Sequence, residues 1–471
     1  MKNKQIKRLI LILVMILVIG TLLMISISQN PNLIDRSIIL STAQMLFVLG
    51  SALVLVLMLF VILLSLNTER KQLNAFKLAY DQVHAEEDKQ DVHITIEQQS
   101  DETPEVPEEE TDETSRFFML TQIDEKAKAF EFTREDDITL ERLCDEFRHF
   151  AASQLRLYYD ISDIRRFIGG LSVSHIMILQ GMSGTGKTSL AYAFGEYLKN
   201  STVVVPIQPM WKERTDLIGY YNEFTKKFNE TTLLQKLYEA SHNEQMYITV
   251  LDEMNIARVE YYFAEFLSLL EIPDTKKRHL DVVTDVWDTD PELLKDGKLI
   301  LPNNMWFVGT ANNDDSTFSI SDKVYDRAMV INLDKKAKPF IPREVKGRSV
   351  SSITFEALVS KARKEYELSQ RNLKRIKQLD QYLMTHFHIT FGNRIMQQIR
   401  NYVPVIVACG GSELSALDDI MSKKVLRKLE TKNMVYVKSA APGLITFMEE
   451  LFGEGEMLLC KEYIQNIEIN A

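Results

Sequence analysis

Hydrophobic patterning divides this chain into three regimes. Near the N-terminus, residues 9–27 ("LILILVMILVIGTLLMISI") and 43–66 are apolar and carry no charged side chain. Each is long enough to cross a hydrocarbon core of about 30 Å, which takes a helix of about 20 residues. The joint between them, "SQNPNLIDR", has room for a turn. The pattern predicts two transmembrane helices within 1–66, forming a hairpin. Residues 67–115 then read as a juxtamembrane helix followed by a linker.

From about residue 116 the periodicity becomes helical. Leu140, Leu143, Phe147, Phe150 and Leu155 recur at a spacing that puts them on one helix face. Short continuous apolar runs follow: "HIMILQ" (175–180), "TVVVPIQ" (202–208), "QMYITVL" (245–251), "MWFVGTA" (305–311) and "AMVINL" (328–333). Runs of that length, separated by amphipathic segments, suit parallel strands covered by helices on both faces. After about residue 350 the pattern is helical throughout. The expected divisions are 1–66, 67–115, a helical part at 116–170, an α/β core at 171–345 and a helical subdomain at 346–471.

Charge sharpens the picture at both ends. Lys2, Lys4, Lys7 and Arg8 precede the first apolar run, and Arg70, Lys71 and Lys77 follow the second, whereas the joint holds Asp35 and Arg36. Basic flanks mark the cytoplasmic side, so both termini are expected there, with the chain a two-pass protein of a bacterial inner membrane. A cleaved leader over 9–27 is the alternative reading, and it leaves 67–471 on the same side. Residues 86–115 contain 13 acidic residues and one lysine, and no aromatic residue. Such a segment cannot bury enough apolar surface to offset its ordering entropy and is expected to be a self-repelling tether. Its net −12, taken from the chain's −11, leaves the rest at +1. A near-neutral body argues against a broad nucleic-acid-binding face. Cys144, Cys409 and Cys460 are too far apart for a zinc site or disulfide framework.

The chemistry concentrates at strand ends. "GMSGTGKT", Gly181 to Thr188, follows an apolar run and opens an amphipathic one. Glycines let backbone N–H groups turn inward around phosphate oxygens, and a helix N-terminus adds partial positive charge. Gly181, Ser183, Gly184, Thr185, Gly186, Lys187, Thr188 and Ser189 are the candidate nucleotide cradle, with Lys187 toward the β- and γ-phosphates and Thr188 as a Mg²⁺ ligand. "ITVLDEMN" ends a strand in Asp252, a second candidate on the metal, and Glu253, the candidate that polarises the attacking water. Asn312 ends the run at 305–311 and is a candidate for positioning that water. Arg327, just before the last strand, is a candidate arginine finger offered to a neighbouring subunit's phosphate. Trp211 reads equally as an ordering residue of a pore insertion or as core. "DTKKRH" (274–279) reads as a solvated hairpin tip, with contact to an acidic partner or nucleic acid as the alternative.

This order of phosphate loop, strand-Asp-Glu, strand-Asn and late arginine resembles the AAA+ ATPases. "PMWKERTDLIGYYNEFTKKFNETTLLQKLYEA" resembles the helix-2 insertion of the branch containing dynein, midasin, MoxR and the McrB motors. "LDEMNIARVEYYFAEFLSLLE" and "GTANNDDSTFSISDKVYDRA" look most like bacterial McrB-type motor domains. The resemblance implies a P-loop NTPase AAA+ core with a parallel sheet, a C-terminal helical lid and a homo-oligomeric, usually hexameric, ring. It also implies that "FGNRIMQQIRNYV" carries a second sensor arginine, Arg394, toward the nucleotide. The restriction motors use GTP and carry a DNA-reading domain ahead of the motor, where this chain has its apolar hairpin and tether. Their loop after the sensor asparagine also differs from "NDDSTFS". ATP with Mg²⁺ is therefore the expected cofactor, with GTP as the alternative. The expected function is a membrane-anchored ATPase that remodels or signals to an unidentified protein partner at the cytoplasmic face. The alternatives are a McrB-like motor of a nucleic-acid-directed restriction or phage-defence system, and a nucleotide-switched membrane scaffold.

Overall fold

A computed structural model describes residues 115–312, 317–334 and 336–470. The two apolar runs and the acidic tether lie outside these residues. Among the described residues, no helix is long and apolar enough to cross a membrane.

The five apolar runs form five strands of one parallel sheet: β1 (Ile176–Gln180), β2 (Val203–Pro206), β5 (Tyr247–Asp252), β8 (Met305–Ala311) and β9 (Met329–Asn332). Their order across the sheet is β2-β5-β8-β1-β9. Registers such as Met177 opposite both Val308 and Met329 bring all carboxyl ends to one rim. The continuous apolar runs conceal an alternation. Ile176, Ile178, Tyr247, Leu251, Met305 and Phe307 enter one hydrophobic cluster. Met177, Leu179, Ile248, Val250, Trp306 and Val308 enter another on the opposite face. Burial on both faces removes the polar positions that an exposed strand would show.

The first cluster also takes in α1 (Phe118–Lys128) and α6 (Thr232–Ala240), together with the segment just before α1, where Phe117 stacks on Phe228 at 4.8 Å. The second takes in α2 (Leu140–Leu155), α3 (Ile161–Val173) and α4 (Lys187–Tyr197). Thr139 caps α2 by accepting the Arg142 N–H, and the apolar spacing read from the sequence puts Leu143, Phe147 and Phe150 inside.

Two hairpins interrupt the α/β alternation. Between β2 and α6 the chain forms a one-turn helix, α5 (Thr215–Ile218), and the hairpin β3 (Gly219–Asn222) and β4 (Lys227–Glu230). Trp211 lies just before it and meets Tyr262 edge-on at 6.0 Å, partly buried against the first cluster. After β5 come α7 (Val259–Tyr262), α8 (Ala264–Leu269) and the hairpin β6 (His279–Asp281) and β7 (Lys298–Ile300). Arg278, in the segment expected to be a solvated tip, is buried and donates to the Ile272 carbonyl and the Asn303 side chain. A last short helix, α9 (Asp322–Tyr325), leads into β9.

The C-terminal helices are α10 (Ser352–Glu365), α11 (Gln370–Phe387), α12 (Asn393–Ala408), α13 (Glu413–Lys424), α14 (Met434–Phe452) and α15 (Leu458–Asn470). Phe355 and Val359 of α10 and Val405 of α12 join the cluster under the sheet, whereas α11 to α15 build most of a third core that also takes in Met329 of β9. A buried polar network ties that core to α3. The Asp419 carboxylate accepts from Tyr402 Oη at 2.6 Å and Lys423 Nζ at 2.6 Å, and pairs with Arg166 Nε at 3.3 Å. Burial works to raise its pKa, but the two cations and the phenol outweigh it and hold Asp419 below its ordinary value. Cys144, Cys409 and Cys460 are all buried and form no disulfide.

Candidate nucleotide site

The carboxyl rim of the sheet collects most of the predicted chemistry. β1 runs directly into the loop 181–186, and α4 starts at Lys187. Gly181 sits at φ 143°, and a Cβ there would lie 2.4 Å from the Leu333 carbonyl oxygen, so no other residue fits without moving the loop. Gly186 caps α4 at φ 93° and offers no side chain to the first turn. A helix N-terminus opening directly from a glycine loop is a favourable place for anionic oxygens. Tyr159 donates its hydroxyl to the Gly186 carbonyl at 3.0 Å and pins the loop from α3's side. Ser183 and Gly184 are exposed, Thr185 donates to the Met182 carbonyl at 3.0 Å, and Ser189 is half-buried in the first turn. Lys187 is buried, with Nζ 3.0 Å from the Gly181 carbonyl and 2.8 Å from that of Met182. Its ammonium is thus already turned across the loop.

Asp252 ends β5 on the same rim. Its Oδ1 accepts the hydroxyls of Thr188 at 2.7 Å and Thr310 at 2.8 Å. Having donated its proton, the Thr188 hydroxyl keeps lone pairs for a cation. Oxygen donors of this kind, on two elements, fit a hard divalent ion such as Mg²⁺. Glu253, next in the chain, is exposed and sits in the left-handed region at φ 52°. Its backbone N–H donates to Thr310 Oγ1 at 2.8 Å. A non-glycine residue there costs about 1–2 kcal/mol. Thr310 supplies the compensating bond.

Asn312 follows the end of β8, on the rim between β5 and β1. Asn255 holds that strand end, donating from Nδ2 to the Asn312 carbonyl at 3.0 Å and to Thr317 Oγ1 at 2.9 Å. Thr310 and Asn255 were not identified from sequence. The signal was present for Thr310, a hydroxyl at the end of a buried strand, but its significance depends on β8 lying beside β5.

Arg327 is elsewhere. It precedes β9, and its carbonyl accepts from Ser174 Oγ at 2.8 Å, just ahead of β1. It therefore stands at the amino rim, roughly 15 Å from the loop at about 3.3 Å per strand residue. Its Nη1 donates to the Lys323 carbonyl at 2.8 Å and its Nη2 lies 2.8 Å from Glu271 Oε2. Arg394, in the first turn of α12, lies 2.7 Å from the other oxygen of Glu271. The structure thus assembles Lys187, Thr188, Asp252, Glu253 and Asn312 on one rim, and joins Arg327 and Arg394 through Glu271 away from it.

A glycine cradle opening a helix, a buried lysine across it and a strand-end carboxylate bonded to the helix's first threonine define a P-loop nucleoside-triphosphatase core. Residues 176–328 match the family described as AAA domain (dynein-related subfamily), and this match supports an ATPase activity. Residues 348–468 match a domain of unknown function, DUF8727. No curated protein matches the chain. Among solved structures, a candidate ATPase from Cytophaga hutchinsonii is 13% identical, with a TM-score of 0.43 over 70% of this chain and 96% of that one. A full-length MCM homolog from Methanopyrus kandleri is 11% identical, with a TM-score of 0.33 over 70% of this chain and 63% of the other.

Proposed function

We propose that the chain is a membrane-anchored AAA+ ATPase whose copies assemble into a ring, and that hydrolysis at its inter-subunit sites remodels or signals to a protein partner at the cytoplasmic face. The observation that carries the ring reading is the separation of the site into two halves. Arg327 stands one sheet length from its own copy's loop, so if its charge serves a phosphate, that phosphate would belong to another copy. The apolar runs at 9–27 and 43–66 and their basic flanks support the membrane reading.

Lys187, the α4 N-terminus, Thr188 and Asp252 would hold MgATP. Mg²⁺, when bound, neutralises charge developing on the phosphate oxygens. Glu253, exposed and set by its Thr310 bond, would orient the water and accept its proton. Asn312, at the neighbouring strand end, would position the same water. An arginine from the adjacent copy would balance transition-state charge. ATP is the default nucleotide, and GTP is the alternative that the McrB-type resemblance suggests.

The test uses the full-length chain in detergent. ATP turnover that depends on Mg²⁺ and rises steeply with protein concentration is expected, as is loss of turnover in Lys187→Ala. The chain should stay in the membrane pellet after an alkaline carbonate wash, and deletion of residues 1–66 should release it. Turnover independent of Lys187, or a full-length chain recovered in the wash, would each remove the corresponding half of this reading.

A further inference from the structure

Glu271 is the meeting point of three separate parts of the chain. It follows α8, and its two carboxylate oxygens are divided between Arg327, from the turn before β9, and Arg394, from the first turn of α12. We infer that Glu271 is a positioning residue that ties Arg327 and Arg394 into one two-guanidinium clamp, presented to the γ-phosphate of ATP held by a neighbouring copy. This rests on the ATPase reading above.

Geometry supports a clamp rather than two independent arginines. Two guanidiniums brought to one place repel each other, and a carboxylate with one oxygen for each is the simplest group that holds both. The cluster keeps a net charge of +1, so it still attracts an anion. Arg327 and Arg394 side chains retain 25% and 50% of their exposure, so both remain reachable. The buried Nε–H of Arg327 has no acceptor among the described residues, so the hold on this guanidinium rests on Lys323 and Glu271.

The surroundings are organised to keep this face in place. The buried Lys424 of α13 donates to the carbonyls of Tyr325 and Ala328, on either side of Arg327. Gln398 of α12, one turn on from Arg394, donates to the Asp326 carbonyl at 3.2 Å. The helical part therefore grips the segment carrying Arg327 at three points besides Glu271. Donors fixed before the reaction spend nothing on reorganisation when charge develops.

The experiment compares full-length wild type with Glu271→Gln and Glu271→Asp in ATP turnover. Glu271→Gln is expected to lower kcat on the order of 10- to 100-fold, below the loss of a whole transition-state donor, with KM for ATP little changed. Glu271→Asp should recover much of that loss. Arg394→Ala should fall in the same way and cover the case in which Glu271→Gln fails to fold. Mixing Glu271→Gln with Lys187→Ala should exceed the average of the two alone, because one supplies a working loop and the other a working clamp. Wild-type kcat in Glu271→Gln or Arg394→Ala, or a mixture no better than its average, would overturn the clamp. A wild type without ATP turnover would instead sink the ATPase reading itself.

Discussion

Thr310 donates its hydroxyl to Asp252 at 2.8 Å and, through the same oxygen, accepts the backbone N–H of Glu253 at 2.8 Å. One side chain from β8 therefore sets both acidic residues at the carboxyl end of β5. Thr310→Val removes both bonds at a site that is almost wholly buried. Stranding such groups costs about 1–3 kcal/mol. Turnover is expected to fall by on the order of 10-fold, with a higher Mg²⁺ concentration needed for half-maximal rate. Thr310→Ser should keep both bonds and most of the rate, as a Mg²⁺ titration of both variants would reveal.

Glu253→Gln separates binding from chemistry. The amide keeps the size and the backbone geometry but cannot take a proton. Nucleotide affinity, followed with a fluorescent ATP analogue, should be retained. Single-turnover hydrolysis should drop by about 100-fold or more, the range of general-base contributions. Hydrolysis at the wild-type rate would assign the proton to another group.

The loop glycines differ in what they tolerate. A Cβ at Gly181 would lie 2.4 Å from the Leu333 carbonyl oxygen, whereas one at Gly184 would meet nothing within 4 Å. Both sit at positive φ, so each alanine carries the backbone penalty of about 1–2 kcal/mol. Only Gly181→Ala must also displace the loop from β9. Gly181→Ala should lose nucleotide binding as well as melting temperature. Gly184→Ala, which displaces no protein atom, should lose less of both.

Lys424 makes stability depend on pH. Burial pushes its pKa down from 10.5 to about 7, against the pull of Asp326. The unfolded chain therefore binds more protons than the folded one between about pH 7 and pH 10.5. Stability should rise with pH across that window, because folding must strip the proton that the unfolded lysine still carries, and that cost falls as pH rises. The neutral amine still has two N–H groups for the Tyr325 and Ala328 carbonyls. Lys424→Met should flatten this part of the melting-temperature profile. An unchanged slope would assign the dependence to other groups.

The sequence alone determined the strands and the phosphate loop, because both depend on local chemistry. Runs such as "MWFVGTA" are apolar throughout, since both faces of the sheet are covered, and "GMSGTGKT" needs only its own glycines and the helix after it. The hairpin at 219–230 was not legible, and the one at 279–300 left only a hairpin-tip reading at 274–279. Their strands are three or four residues long and largely polar, and they hold by pairing with each other rather than by a hydrophobic period. Strand order was not legible either, and order is what puts Thr310 of β8 beside Asp252 of β5. Glu271 carries no local signal at all, being an acid after a short helix until the fold brings Arg327 and Arg394, 56 and 123 positions later, onto its two oxygens. Residue types announced which reactions were within reach. Which rim of the sheet each group occupies was decided only by tertiary structure, because parallel pairing aligns distant segments by register and not by sequence.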